Sequence, residues 1–254
     1  MAAILALPAA AKAQDAIPAG TILPISLDKS IDAGKVHPGQ QIQGAVMQDI
    51  PGTFIRRGAK VLGHVVGAKS LVNGPAKLEI CFDNVKSHGH IIPIKTNLRA
   101  LASYLEVEEA QIPEDMSSRG LTPETWTTQQ IGGDQVYRGG GPVAVGTTTV
   151  GEPTPYGVLG DPRLQPGMDC RGVVAEAKRP QAFWLFSTDA CGLYGYPNLR
   201  IEHAGRTDPA GTIVFASDHG KLLLRVGSGM LLRVQNSSEN SPSRSEKRKR
   251  PARR

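Results

Sequence analysis

Apolar and polar residues alternate with a two-residue period through most of the first hundred positions. Leu23, Ile25 and Leu27 share one phase, followed by Ile42 and Val46, then Val61 and Val65. Further on, Leu78, Ile80 and Phe82 alternate with Glu79, Cys81 and Asp83, and Ile92, Ile94 and Leu98 alternate with Pro93, Lys95 and Asn97. Pro38-Gly39, Pro51-Gly52, Asn73-Gly74-Pro75 and Ser87-His88-Gly89-His90 punctuate these runs with turn chemistry. Half-buried strands separated by such turns predict a β-barrel or sandwich-like domain over 18–98, complete enough to fold alone. Leu98, Leu101 and Leu105 recur at helical spacing, which predicts one short helix ending before Pro113.

Periodicity fades from Glu114 to Gly167, where Gly, Pro, Thr and Gln dominate, so 99–168 reads as the helix plus a Gly/Pro-rich linker. A second β unit is expected over 169–234. Its first hairpin joins Gly172–Ala177 to Ala182–Ser187 through Lys178-Arg179-Pro180-Gln181. Phe183-Trp184-Leu185-Phe186 is apolar on both faces and reads as a buried strand. Runs at Leu199–His203, Thr212–Ala216, Leu222–Val226 and Leu231–Val234 complete the unit. The fold class is therefore mainly β. Residues 235–254 are polar and then basic, and predict a disordered tail.

Composition changes this picture in two places. The net charge of +6 suggests a polyanion partner, but seven Lys/Arg against two Glu fall from Gln235 onward, leaving about +1 for the rest. Any electrostatic attraction thus resides in Lys247, Arg248, Lys249, Arg250, Arg253 and Arg254, and no specific nucleic acid is implied. At the other end, Ala2–Ala10 is a short apolar run and Ala11-Lys12-Ala13 has the small-x-small pattern of signal-peptidase sites. Residues 1–13 read as a signal peptide, truncated at its start because no positive region precedes the apolar run. An exported, periplasmic or envelope-associated protein follows as an expectation, with envelope proteins or cell-wall and anionic surface polymers as the nearest partners. No stretch has the length of a membrane-spanning helix.

Candidate chemistry is sparse. Gly141-Pro142-Val143-Ala144-Val145-Gly146 followed by Thr148 has the outline of a phosphate loop. However, Thr147 replaces the required Lys, Pro142 removes an amide donor, and no helix can follow. His88 and His90 stand two apart in a predicted turn with His64 on a neighbouring strand, yet solvated histidines are the stronger reading. Ser187, Asp189 and His203 supply the residue types of a hydrolytic triad without a Gly-x-Ser-x-Gly elbow. Tyr137, Tyr156, Tyr194 and Tyr196 lie near glycines and would suit sugar stacking, although turn tyrosines need no ligand. No catalytic residue, metal or cofactor is assigned. Cys170 and Cys191 bracket the predicted hairpin, and in an oxidising compartment they are the expected disulfide.

The first β region also resembles a known family. Ile17-Pro18-Ala19-Gly20-Thr21-Ile22, Ile31-Asp32, Pro38-Gly39 and Ala45–Ile50 follow the pattern of the C-terminal β-domain of the TrbI-type scaffold subunit of type IV secretion and conjugation channels. Ile55-Arg56-Arg57-Gly58-Ala59-Lys60-Val61-Leu62-Gly63 is similar to its apolar, Pro, basic, Gly, Ser signature, with Arg56 for proline and Ala59 for serine. Phe82-Asp83-Asn84-Val85, then Gly89 and Ile92-Pro93-Ile94, resemble its last hairpin. The resemblance covers residues 17–98 and implies a non-enzymatic periplasmic assembly domain. It lacks that family's stalk and its apolar helical hairpin, because Leu98–Ile112 is single and carries Glu106, Glu108 and Glu109. A cell-wall or glycan-binding module is the alternative function, and an uncharacterised hydrolase the second.

Overall fold

A computed structural model describes residues 16–112, 128–133, 136–137, 141–145, 147–163 and 179–235. The chain opens with β1 (Ile22–Leu27), the short β2 (Ile31–Asp32), β3 (Gln41–Val46), β4 (Lys60–Ser70), β5 (Ala76–Ser87), β6 (His90–Pro93) and β7 (Thr96–Ala102). Helix α1 (Tyr104–Glu109) follows, capped by the Ser103 hydroxyl accepting from the Glu106 amide. Next come β8 (Thr128–Gln129), β9 (Val136–Tyr137), β10 (Val143–Val145), β11 (Thr148–Thr154), β12 (Gly157–Gly160) and β13 (Gln181–Ala182). The last strands are β14 (Gly192–Tyr194), β15 (Arg200–Ala204), β16 (Ile213–Ser217), β17 (Leu223–Leu224) and β18 (Gly229–Val234). The fold is mainly β, as the alternation predicts.

Ten strands form one sheet in the order β14-β7-β18-β1-β3-β4-β5-β16-β15, with β6 on β5. This order crosses the boundary expected at Leu98. The C-terminal β18 lies between β1 and β7, and β16 pairs with β5. The regions 18–98 and 169–234 therefore share a sheet and one apolar core, in which Leu23, Ile25, Val65 and Phe82 pack with Phe215, Met230 and Leu232. Alternation reports that a strand has a buried face, but not which strand covers it.

The sheet curls without closing. Its end strands, β14 and β15, share no ladder; instead the Arg206 guanidinium donates to the Leu98 carbonyl at 3.1 Å, and the Gln235 amide to the Gly205 carbonyl at 2.9 Å. The outer face of β1, β7 and β18 carries a second cluster: Ile22, Ala100, Ala102 and Leu231 pack with Val107 of α1 and with Phe183, Trp184 and Phe186.

Three expectations need correction. The first third of the predicted helix, Leu98 to Ala102, is strand β7. Leu98 and Leu101 both face the main core although three residues apart, because the pairing with β18 shifts between Leu231 and Leu232 and leaves Arg99 as an extra residue. That bulge reproduces helical spacing inside a strand. The expected linker contains β10, β11 and β12, which with β13 form a four-stranded sheet. Among the described residues its core is Val143, Val150 and Val158, too little to give a periodic signal. Finally, of the expected strand Ala182–Ser187 only Ala182 lies in a strand, β13, while Phe186 makes an isolated parallel bridge to Ile131. Phe183 to Ala190 instead folds back as a plug, with Phe183, Trp184 and Phe186 buried and Trp184 at φ 51. Being apolar on both faces suits a plug as well as a buried strand. The other arm expected of that hairpin, Gly172–Ala177, residues 236–254 of the expected tail and the expected leader 1–13 lie outside the described residues.

Candidate functional site

Val143–Val145 of the Gly-rich stretch form β10, which pairs antiparallel with β11, so a strand stands where a phosphate loop needs a helix. His88, at φ 48, and Gly89, at φ 83, form the tight turn between β5 and β6. His88 and His90 are exposed there, and Nδ1 of His88 lies 3.0 Å from the Ser87 hydroxyl. The Ser187 hydroxyl donates directly to the Asp189 carboxylate at 2.7 Å with no imidazole between. The His203 ring meets the Thr212 carbonyl at 2.8 Å and the Thr207 hydroxyl at 3.1 Å. The three residues do not assemble as a relay.

The tyrosines with described side chains have partners within the fold. Tyr194 Oη accepts from the Cys191 amide at 2.8 Å and donates to the Cys191 carbonyl at 3.0 Å, and Tyr196 Oη lies 2.9 Å from the Ser228 hydroxyl. Tyr156 is exposed and carries the Arg57 guanidinium 3.6 Å from its ring centre. Cys191 is buried just before β14. Cys170 lies outside the described residues, as do the basic side chains from Lys247 to Arg254.

Two polar assemblies escaped the sequence reading. The first holds the aromatic plug. Arg99, on the β7 bulge, is 1% exposed, and its Nη2 donates to the carbonyls of Arg163 at 2.7 Å and Thr188 at 2.9 Å. Burial pulls its pKa down to about 10, against the opposing pull of the Asp189 carboxylate, so it remains a cation at neutral pH. Gln48 does the same at the other end of the plug. Its Oε1 accepts from the Trp184 amide at 2.7 Å, and its Nε2 donates to the Val158 carbonyl at 3.1 Å. These buried groups satisfy backbone atoms that an irregular segment leaves without a ladder.

The second assembly lies on the outer face of β4 and β5. His64 and Cys81 are cross-strand partners. The ladder shifts between Leu62 and Gly63, which pair with Asn84 and Phe82, so Asp83 is the extra residue of a bulge. The shift leaves Phe82 and Val85 buried and turns Asp83 and Asn84 outward together. Gly63 makes the close approach possible, since a Cβ there would stand 1.9 Å from the Cys81 carbonyl oxygen. His64 Nδ1 lies 3.0 Å from Asp83 Oδ2, while Cys81 Sγ lies 3.3 Å from Nδ1, 3.5 Å from Nε2 and 3.7 Å from Oδ2. Asn84 Nδ2 donates to the other carboxylate oxygen, Oδ1. Cys81 is a free thiol, and burial, reinforced by the neighbouring Asp83 carboxylate, pushes its pKa up to about 11. The sequence held a signal for it, Cys81 and Asp83 two apart on a strand beside His64, but the pairing register was needed to read it.

Fold and site together define a mainly-β protein with a curled open sheet, an aromatic plug, and one mixed His/Cys/Asp cluster among the described residues. No described helix is long and apolar enough to cross a membrane, which leaves strands aside. No protein-family model matches the sequence, and no curated protein matches it.

Proposed function

We propose that this chain is an exported, non-enzymatic envelope protein whose curled sheet serves as a structural or assembly domain, in the manner of the secretion-channel scaffolds that its first strands resemble. The observation that carries this reading is the β4 edge. The first half of β4 pairs with both β3 and β5, whereas Val66 is the extra residue of a bulge and from Gly67 to Ser70 the only ladder partner among the described residues is β5. The hairpin then ends in Leu71 and Val72, 51% and 95% exposed. Strand addition uses such a feature: an edge that offers its backbone, with apolar side chains beside it.

The test is a photo-reactive residue at position 72 in the full chain, followed by cell fractionation. The reading expects the chain in the envelope fraction and a discrete cross-linked species, with a second copy or with an envelope protein. A Val66→Lys change, which blunts the edge, should abolish that species. Retention in the cytosolic fraction overturns the export half, and a wild-type chain that gives no adduct overturns the assembly half.

A further inference from the structure

We propose that His64, Cys81 and Asp83 form a binding site for a borderline-soft divalent cation, of which zinc is the type case. One ligand atom from each of the three residues lies within 4.8 Å of the other two. A tetrahedral ion with ordinary zinc bond lengths to nitrogen, oxygen and sulfur sets its ligand atoms about 3.4–3.6 Å apart. The three separations here, 3.0, 3.3 and 3.7 Å, bracket that range. The ligand-atom spacings thus lie within a few tenths of an ångström of one triangular face of a coordination tetrahedron, and because Cys81 Sγ also lies 3.5 Å from Nε2, the imidazole must turn to aim Nδ1 at the ion.

Chemistry separates this reading from the obvious rival. A Cys–His–Asp catalytic relay places thiol and carboxylate on opposite ring nitrogens, so that a proton can cross the imidazole. Here Nδ1 is the nearer ring nitrogen to the thiol and also the one facing the carboxylate. That arrangement cannot relay, but it can chelate. The donor set is one thiolate, one imidazole and one carboxylate, which neutralises a divalent ion and selects against the hard, all-oxygen cations magnesium and calcium. When the ion binds, it replaces the thiol proton, which leaves to solvent.

The supporting shell also fits. Asn84 occupies Oδ1 of Asp83 and leaves Oδ2 for the ion, the outer-shell orientation that metal carboxylates require. The His64 and Asp83 side chains are about 40% exposed, so the fourth position opens to water. Neither His88 nor His90 takes part, and the site owes nothing to the assembly reading above.

The experiment uses the purified, metal-stripped full chain with cobalt as a spectroscopic probe and zinc for affinity. One cobalt per chain should bind with tetrahedral d–d bands and a thiolate charge-transfer band. Cys81→Ser should abolish that band, and His64→Gln and Asp83→Asn should each weaken zinc at least about tenfold, with Asn84→Ala costing about tenfold. A His88→Gln, His90→Gln double variant should bind as wild type. Melting without metal controls for misfolding, because these half-exposed side chains should leave it unchanged. Zinc should raise the wild-type melting temperature, and that rise should vanish in Cys81→Ser. A cobalt complex without the thiolate band, a band that survives Cys81→Ser, or zinc affinity indifferent to all three ligand changes overturns the proposal.

Discussion

Removing β18 should unfold the protein, although the strand is the last of the described elements. A variant ending at Gly227 loses Met230, Leu231 and Leu232, each fully buried, and Val234, 3% exposed. Each is worth about 1.5–3 kcal/mol by burial, or roughly 6–12 kcal/mol together. Allowing for residual compaction of the unfolded chain leaves roughly 4–10 kcal/mol. The whole stability of a domain this size is about 5–15 kcal/mol, so the apolar loss alone is comparable to the total. The deletion also strips one ladder from β1 and one from β7, turning two interior strands into edges. Urea unfolding followed by tryptophan fluorescence measures the result, because Trp184 lies against Gly229 in the intact fold. The expected outcome is a non-cooperative, broad response. A chain ending at Gln235, which retains β18, should keep the wild-type midpoint. If the shorter variant unfolds cooperatively at that midpoint too, then β18 does not complete the sheet and the two halves are separate units after all.

Four further outcomes are expected. Val65→Asp should cost about 4 kcal/mol or more by placing an unpaired charge in the main core, lowering the urea midpoint far more than a change at exposed Val72. Burial alone would lift the Asp32 carboxyl, but the Lys221 ammonium at 2.9 Å and the Gly34 amide outweigh it and hold the group below its usual 3.8. A depressed carboxyl stabilises the fold above its unfolded pKa and loses that contribution as pH falls through the folded value. Lys221→Met should therefore lower stability at neutral pH by about 1 kcal/mol or less, with the gap to wild type closing in acid; a gap that persists there refutes the pairing. A chain ending at Gln235 should lose salt-sensitive retention on heparin, and retention that survives moves the electrostatic site into the body of the protein. Non-reducing peptide mapping of exported material should link Cys170 to Cys191, closing a loop worth roughly 3 kcal/mol on the chain-entropy model; finding them unlinked sinks the bridge and weakens the case for export.

The strands were legible wherever one face meets the core and the ladder is regular. Leu23, Ile25, Leu27, Ile42, Val46, Val61 and Val65 are all buried, in the phase their alternation predicts. The order of those strands was not legible, since β1 would read identically whether its partner came from residue 45 or residue 231. The four-stranded sheet was hidden for another reason. Gly151 and Gly160 allow its strands to approach so closely that a Cβ would meet carbonyl oxygen at 2.6 and 2.5 Å, and a sheet built on such approach needs few apolar side chains.

The polar assemblies were hidden by a single device. Arg99 and Asp83 are each the extra residue of a bulge, and a bulge advances the chain by one position without advancing its partner. Beyond it the inward phase flips, so Leu98 is followed inward by Leu101, and Phe82 by Val85. A sequence reader meets three-residue spacing and infers a helix, or merely loses the strand. Yet the same flip is what gives the fold its polar geometry. In β7 it releases Arg99 from the ladder to hold the plug's Thr188 carbonyl; in β5 it brings Asp83 and Asn84 to one face, so that one can position the other beside Cys81 and His64. An unbroken alternation at residues 80–85 would send Asp83 and Asn84 to opposite faces, and the carboxylate beside Cys81 would have no amide to aim it.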